Sequence, residues 1–391
     1  MLEVHSRRYY PTKFVVIRRG PYGRTAWARI VTNFQSRAPR RNRKDRSNKP
    51  QRPAMPHSAK NTDEYAAIDL GTNSCRMLIG RAGDNGFDVV DGFSRIVRLG
   101  EGLQSTGKLQ APAMDRTVAA LRVCAAKIKQ RRVRSVRAVA TAACRRAANG
   151  REFTNRVARE TGIDLQLISA DLEAELTLKG CAPLFNTGHG RGLLFDIGGG
   201  STEIMWAATP ADALPRPLGV KSMPFGVVTL FEEFGDGVLP PDAYEEILRR
   251  VDEELAPFCN THGISEAIAD SSVQMVGTSG TVTTLGALQL DLPRYERRRI
   301  DGLHIDFSAI KALSARLSEM DLAARRKLPC IGEGRADLML MGCAVLAAIC
   351  RRWPIGSLRA ADRGIREGLI MEMIEADRTG FSPVPTGMPA L

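Results

Sequence analysis

The sequence predicts an α/β protein built as two similar halves, and three observations carry that expectation. Apolar segments of strand length alternate with segments of helical period from residue 65 to residue 376. The string Asp69-Leu-Gly-Thr-Asn-Ser74 returns about one domain length later as Asp196-Ile-Gly-Gly-Gly-Ser201, each copy following one apolar strand and preceding another. Between the copies, the Gly-rich stretch Asn186–Gly192 marks the best boundary in the body of the chain. The expected organisation is therefore a first domain over 63–183, a second over 184–378, a basic extension over 1–62 and a tail over 379–391.

Composition narrows the class. At 391 residues, 43% hydrophobic and 25% charged, the chain has ordinary globular usage, which excludes a collagen-like or wholly disordered protein. The longest nearly uncharged apolar run, Leu338–Cys350, is too short to cross a bilayer, which needs about 20 residues. No apolar block follows the basic start, so a secretory signal is not expected. The eight cysteines include no C-x-x-C pair, and the five histidines do not cluster with them at zinc spacing, pointing to reduced thiols in a cytoplasmic protein. Charge is unevenly placed: residues 1–60 hold 16 Lys and Arg against only Glu3 and Asp45, leaving 40 basic and 41 acidic side chains in the rest. The pI of 9.7 thus belongs to the extension, and no nucleic-acid partner is expected for the body. Three readings compete for the extension: an arm contacting a polyanion, a targeting presequence, or a segment upstream of a true start at Met55. The last is favoured, because no core-forming period appears before Tyr65.

In chain order, Ala66–Leu70 and Arg76–Gly80 read as strands around the turn Gly71–Ser74, followed by two short strands near Phe87–Asp91 and Arg95–Leu99. Met114, Val118, Leu121, Ala125 and Ile128 set a helical period over 113–130. Val136–Thr141 and Leu165–Ile168 are strand-like, whereas Glu152–Thr161 and Asp171–Lys179 read as helices. The second half opens with strands Gly192–Ile197 and Glu203–Ala207. It continues with a long helix over Asp242–Cys259, a strand at Val273–Val276, a helix over Ala309–Glu319, and an apolar helix over Arg335–Arg351. A last helix around Gly364–Ala376 is expected to pack back on the first domain.

The repeated loop has the chemistry of an anion site. Glycine lets a backbone approach a ligand closely and point successive N–H groups into a concavity. Thr72, Asn73, Ser74, Ser201 and Thr202 add donors, and Asp69 and Asp196 at strand ends suit a hard cation, which prefers oxygen ligands. Glu203, two residues past Ser201, falls by strand alternation on the same side as that serine. Gly277-Thr-Ser-Gly-Thr281 forms a third Gly-rich turn between a strand and a helix, either an anion-binding helix start around Gly280 or an ordinary N-cap. Neither a G-x-x-x-x-G-K-[ST] loop nor a G-x-G-x-x-G after a strand is present.

Six ordered segments give these loops a family context: AAIDLGTNSCRMLIG (66–80), ATAACRRAANGREF (140–153), LISADLEAEL (167–176), LLFDIGGGSTEI (193–204), VGTSGTVTTL (276–285), and RADLMLMGCAVL (335–346) leading into DRGIREGL (362–369). Over about residues 65–375 the chain resembles the Ppx/GppA phosphatases, exopolyphosphatases and guanosine pentaphosphate phosphohydrolases. Those enzymes belong with the actin, Hsp70 and sugar-kinase folds (ribonuclease H-like halves around an interdomain cleft). The resemblance implies Glu173 as the base, with Glu175 at a position where the family usually carries Arg. It implies Arg145 as a phosphate contact beside Arg146, and Asp196 and Glu203 as metal-linked acids, with Asp69 alongside. It further implies Gly71, Thr72, Asn73, Gly199, Gly200 and Ser201 as phosphate-loop positions, with Arg335 as another phosphate-side arginine; Gly198 and Gly280 join them from the chemistry of their own loops.

The implied reaction is hydrolysis of a terminal phosphoanhydride with Mg²⁺, or Mn²⁺ in its place, by in-line attack of a water and without a phosphoenzyme. The expected substrate is inorganic polyphosphate. Guanosine pentaphosphate (pppGpp) is the alternative, and an ATPase, a kinase or a non-catalytic binder of the same fold is more remote. The family often has two adjacent acids where this chain has Leu172-Glu173. No His-Asp pair of the HD-type domain of longer members occurs, so the match is to the short two-domain form. The resemblance also allows a homodimer.

Overall fold

The computed structural model describes residues 63–380 apart from 85, 187, 236, 237, 271 and 272. The basic extension, and with it the choice between Met1 and Met55, lies outside the described residues, as does the tail from 381.

Two sheets dominate the body. The first contains β1 (Glu64–Leu70), β2 (Ser74–Gly83), β3 (Gly86–Ile96), β4 (Ser135–Ala140) and β5 (Leu165–Leu167), in the order β3-β2-β1-β4-β5. The second contains β6 (Gly190–Ile197), β7 (Thr202–Thr209), β8 (Arg216–Met223), β9 (Val273–Ser279), β10 (His304–Asp306) and β11 (Ser357–Ala361). Its order is β10-β11-β9-β6-β7-β8, which without the edge strand β10 reproduces the first sheet in reverse listing. In each sheet the first strand pairs antiparallel with the second and parallel with the fourth. The loop repeat seen in the sequence is thus the visible part of a duplicated sheet.

Strand composition explains the layering. In β1, Ala66, Ile68 and Leu70 face a core that includes Val118 and Leu121 of the Ala111–Arg131 helix, whereas Tyr65 and Ala67 face Leu369, Ile370 and Met373. A strand buried on both faces is the pattern of a sheet covered by helices on both sides, and the alanines let those helices sit close. In β6, Phe195 and Ile197 face the large core of the second half, with Leu194 on the opposite face.

Three expectations change. The two short strands near 87–99 are one strand of 11 residues, ending at Ile96. The apparent break at Asp91-Gly92 lies on a sheet edge, where Lys127 and Arg131 neutralise Asp91 (3.0 and 3.2 Å). The apolar helix begins at Met339, not Arg335. Residues 335–338 form a turn that Asp337 ties to Arg98 at 2.6 Å, so Arg335 sits on a loop. Strands β8, β10 and β11 carry no continuous apolar run and were not legible.

The C-terminal helix, Ile365–Thr379, lies on the first sheet and crosses the Ala170–Cys181 helix at backbone contact distance. A Cβ built on Gly368 would lie 2.1 Å from the Leu176 carbonyl oxygen, and one on Gly180 would lie 1.9 Å from that of Gly364. Among the described residues no helix is long and apolar enough to cross a membrane, and all eight cysteines are free thiols.

Candidate active site

The two repeated loops close with the same hydrogen bond. Gly71 N–H donates to Ser74 O and Gly198 N–H donates to Ser201 O, both at 3.0 Å. They meet across the cleft between the sheets: a Cβ on Gly199 would lie 3.2 Å from Asn73 N, and one on Gly200 would lie 2.5 Å from Thr72 Oγ1. A side chain at Gly200 would force Thr72 to move, and one at Gly199 would press on the opposite loop. Gly198 and Gly199 are fixed from behind, their carbonyls accepting from Val227 N–H (3.0 Å) and Val228 N–H (2.8 Å). From the first half, Arg146 Nη1 donates to Gly200 O at 3.2 Å.

A third element completes the wall. Ser279 ends β9 and caps the Gly280–Gln289 helix, its hydroxyl accepting from Val282 N–H at 3.0 Å. The N-cap reading of this turn is what the hydrogen bonds show, and Gly280 also borders the cavity, with nothing within 4 Å of a built Cβ.

The enclosed space is about 150 Å³. Of the residues expected at the site, Asp69, Gly71, Thr72, Asn73, Ser74, Glu173, Asp196, Gly198, Gly199, Gly200, Ser201, Gly280 and Arg335 line it. Three do not. Thr202 is fully buried and its hydroxyl donates to Phe225 O at 3.0 Å, so that hydroxyl is committed away from the cavity. Glu203 pairs with Asp196 across the β6–β7 ladder, is 2% exposed, and accepts from the Ser222 (3.0 Å) and Ser201 hydroxyls, which places it behind the loop. Arg145 turns to Glu173: its Nη1 donates to Ile168 O at 2.8 Å and to Glu173 Oε2 at 3.1 Å.

Glu173 enters from the first turn of the Ala170–Cys181 helix, whose N-cap Ser169 accepts from Leu172 N–H at 3.2 Å. The carboxyls crowd one another. Desolvation first, and then the charge of Glu203, holds Glu173 well above the usual carboxylate range, with Arg145 pulling the other way. Desolvation, then Glu203 and Asp69, pushes Asp196 up to about 8. Asp69 and Glu203 are raised too, burial being the main cause for each.

Asp196 gives a testable consequence. A carboxyl raised on folding contributes stability below its ordinary value of 3.8 and loses it as pH rises through about 8. Melting of the metal-free protein is expected to weaken over that interval, and Asp196→Asn is expected to flatten the decline. A variant whose melting temperature tracks the parent at every pH would refute the cause.

The donor set fits a hard cation in a limited way. Among the described residues no three acidic, thiol or imidazole groups converge as a metal site. Asp69 and Asp196 do line the cavity, and Thr72 Oγ1 and Asn73 Oδ1 are buried there without partners, so the wall offers unsatisfied oxygen. That suits Mg²⁺, which takes one or two carboxylates and completes its shell with water and phosphate oxygens.

The sequence reading missed Arg76, Thr278, Asp362 and Arg366, all on the cavity wall. For Arg76 the signal was present: it stands two residues past Ser74, as Glu203 stands two past Ser201. Asp362 and Arg366 lie in the quoted C-terminal segment, with no repeat to single them out.

A duplicated sheet carrying paired Gly-rich loops over a carboxylate-lined cavity defines a two-halved α/β protein with one site at the cleft. More closely, the model of the Ppx/GppA phosphatase family matches residues 78–377, and the chain belongs to that family of hydrolases. An Aquifex aeolicus family member is 26% identical (TM-score 0.66), covering 81% of this chain and 98% of its own. An exopolyphosphatase-like protein is 28% identical (TM-score 0.71), with 80% and 98% covered. An exopolyphosphatase from Cytophaga hutchinsonii, 23% identical, shares the fold with a TM-score of 0.71 over 80% of this chain and 98% of its own.

Gly200→Ala tests the loop contact. It is expected to part the loops and lower phosphate release about 100-fold, the scale of a 1 Å misplacement. Unchanged circular dichroism with unchanged activity would contradict it.

Proposed function

We propose that the chain is an exopolyphosphatase that hydrolyses the terminal phosphoanhydride of inorganic polyphosphate. The observation that carries the reading is Glu173 opening into the same cavity as the two facing loops. The loop N–H groups and the Gly280 helix start would hold the terminal phosphoryl group as a polyanion. Asp69 and Asp196 would hold the divalent cation, which when bound neutralises charge on phosphoryl oxygens. Glu173 would take the proton of the attacking water as general base. Arg145, gripping one carboxylate oxygen and anchored on Ile168 O, would favour the ionised form against burial and would aim the carboxylate.

A second reading, pppGpp 5′-phosphohydrolase, is favoured by one feature. A larger cavity of about 660 Å³ adjoins the first, with Phe93, Ile96 and Tyr295 on its walls as surfaces for a nucleoside.

The test is phosphate release with Mg²⁺ from long polyphosphate, tripolyphosphate, pppGpp and ATP. Polyphosphate giving the highest kcat/KM supports the proposal. A preference for pppGpp selects the second reading, and release from ATP alone removes both.

A further inference from the structure

We propose that Arg98, Asp337 and Glu232 are positioning residues: through a strap over residues 96–102 they hold the two Gly-rich loops at one spacing across the cleft. The consequence for turnover rests on the phosphohydrolase reading above, whereas the fastening itself does not.

The strap braces the first loop from behind. Val97 N–H and Arg98 N–H both donate to Asn73 O, at 2.9 and 3.0 Å, and Gly100 N–H donates to Thr72 O at 2.9 Å. These bonds occupy the backbone carbonyls of Thr72 and Asn73, while Thr72 Oγ1 and Asn73 Oδ1 stay without partners beside the cavity. Gly100 lies so close to the loop that a Cβ there would stand 2.3 Å from Thr72 Cγ2. The second loop has a brace of its own, the helix Val227–Phe234, whose first two N–H groups hold the carbonyls of Gly198 and Gly199.

The two braces are joined to each other. Glu232, on that helix, accepts from Gly102 N–H at 2.7 Å. Arg98 crosses from the first half to the second, its Nη2 donating to Asp337 Oδ2 at 2.6 Å. Beside it, Ile96 packs on Gly334, where a Cβ would lie 2.4 Å from Ile96 Cδ1. Asp337 is buried, and its other oxygen accepts from Leu338 N–H at 3.1 Å. Parting the pair would leave a buried carboxylate uncompensated, so it resists opening more than a surface pair does. Glu232 is exposed, which makes the Gly102 bond the weaker joint. Arg98 also stands at φ 48°, in the left-handed region, which a residue other than glycine keeps only where its surroundings fix it. The frame therefore runs from the first loop through the strap and the helix to the second loop, and closes where the loops face each other. Loosening a joint lets the loops part, and reacting groups about 1 Å out of place lose rate on the order of 100-fold.

The experiment is hydrogen–deuterium exchange on the ligand-free protein, read together with kcat/KM for phosphate release from tripolyphosphate. Asp337→Asn keeps an acceptor for Leu338 N–H but removes the charge that Arg98 holds, and Arg98→Gln removes the other member. In both, peptides over residues 70–76 and 197–202 are expected to exchange about ten-fold faster, with β9 unchanged, and kcat/KM to fall about ten-fold or more. Equal acceleration of the loops and β9 would overturn the proposal, because the pair would then only stabilise the fold. Unchanged loop exchange, or faster exchange with unchanged kcat/KM, would overturn it too. Glu232→Gln, which keeps the acceptor for Gly102 N–H, should match the parent, and Glu232→Ala should loosen the loops. Identical behaviour of those two variants would remove Glu232 from the frame. Should Arg98→Gln fail to fold by circular dichroism, Asp337→Asn decides. If the parent releases phosphate from none of the substrates named above, the phosphohydrolase reading falls, and loop exchange alone then judges the strap.

Discussion

Glu173→Gln is expected to lower kcat for phosphate release by ~10²–10⁴, the range for loss of a positioned general base, with KM changed little. The glutamine keeps the shape of the side chain and can still face Arg145, so binding between the loops should survive. Because Glu173 is held above the ordinary carboxylate range, the acid limb of the pH–rate profile should lie above that range in the parent enzyme. The variant should lose that limb. Arg145→Ala is expected to move the limb to still higher pH, since the arginine is what pulls the carboxyl down. A variant retaining more than a tenth of parental kcat would remove Glu173 from the mechanism.

Gly368→Ala is expected to be strongly destabilising although it lies outside the cleft. The added Cβ would meet the Leu176 carbonyl at 2.1 Å, and both partners are helix backbone that cannot rotate away. Overpacking of this kind costs about 1–3 kcal/mol and more when backbone must shift. Gly83→Ala is the control, because nothing lies within 4 Å of its added Cβ. Thermal melting should show a clear drop for the first and almost none for the second. Activity should fall with stability in the first, because the helix pushed aside carries Glu173. Equal melting temperatures for the two variants would show that the helix crossing is looser than its geometry states.

The duplicated architecture was legible because the same physical demand recurs. A loop that closes over a phosphate needs a strand, a tight turn with little side chain, and a second strand, and this leaves the same spacing in both halves. Asp69, Asp196 and the glycines were found for that reason. Glu173, which lines the same cavity, was expected there only through the family resemblance, because a glutamate in the first turn of a helix is ordinary in composition and position. Thr202, Glu203 and Arg145 stand off the cavity wall for a common reason: each has a side-chain polar atom engaged by a protein partner, and spacing does not report which partner a side chain has taken. Short edge strands such as β10 and β11 escaped because pairing with a neighbour, not their own apolar content, makes them strands.

The placement of the C-terminal helix has a bearing on how the chain is made. Tyr65, Ala67, Leu78 and Val139 emerge from the ribosome early, yet Leu369, Ile370 and Met373, which cover them, are among the last residues of the body to be synthesised. At ~5–20 residues per second, the roughly 200 residues between β5 and that helix take about 10–40 s. For that interval one face of the first sheet lacks Leu369, Ile370 and Met373, and a nascent chain stopped before Gly364 would never supply them. The first half is complete in sequence long before it is complete as a folded object, so the molecule closes from its end back onto its beginning.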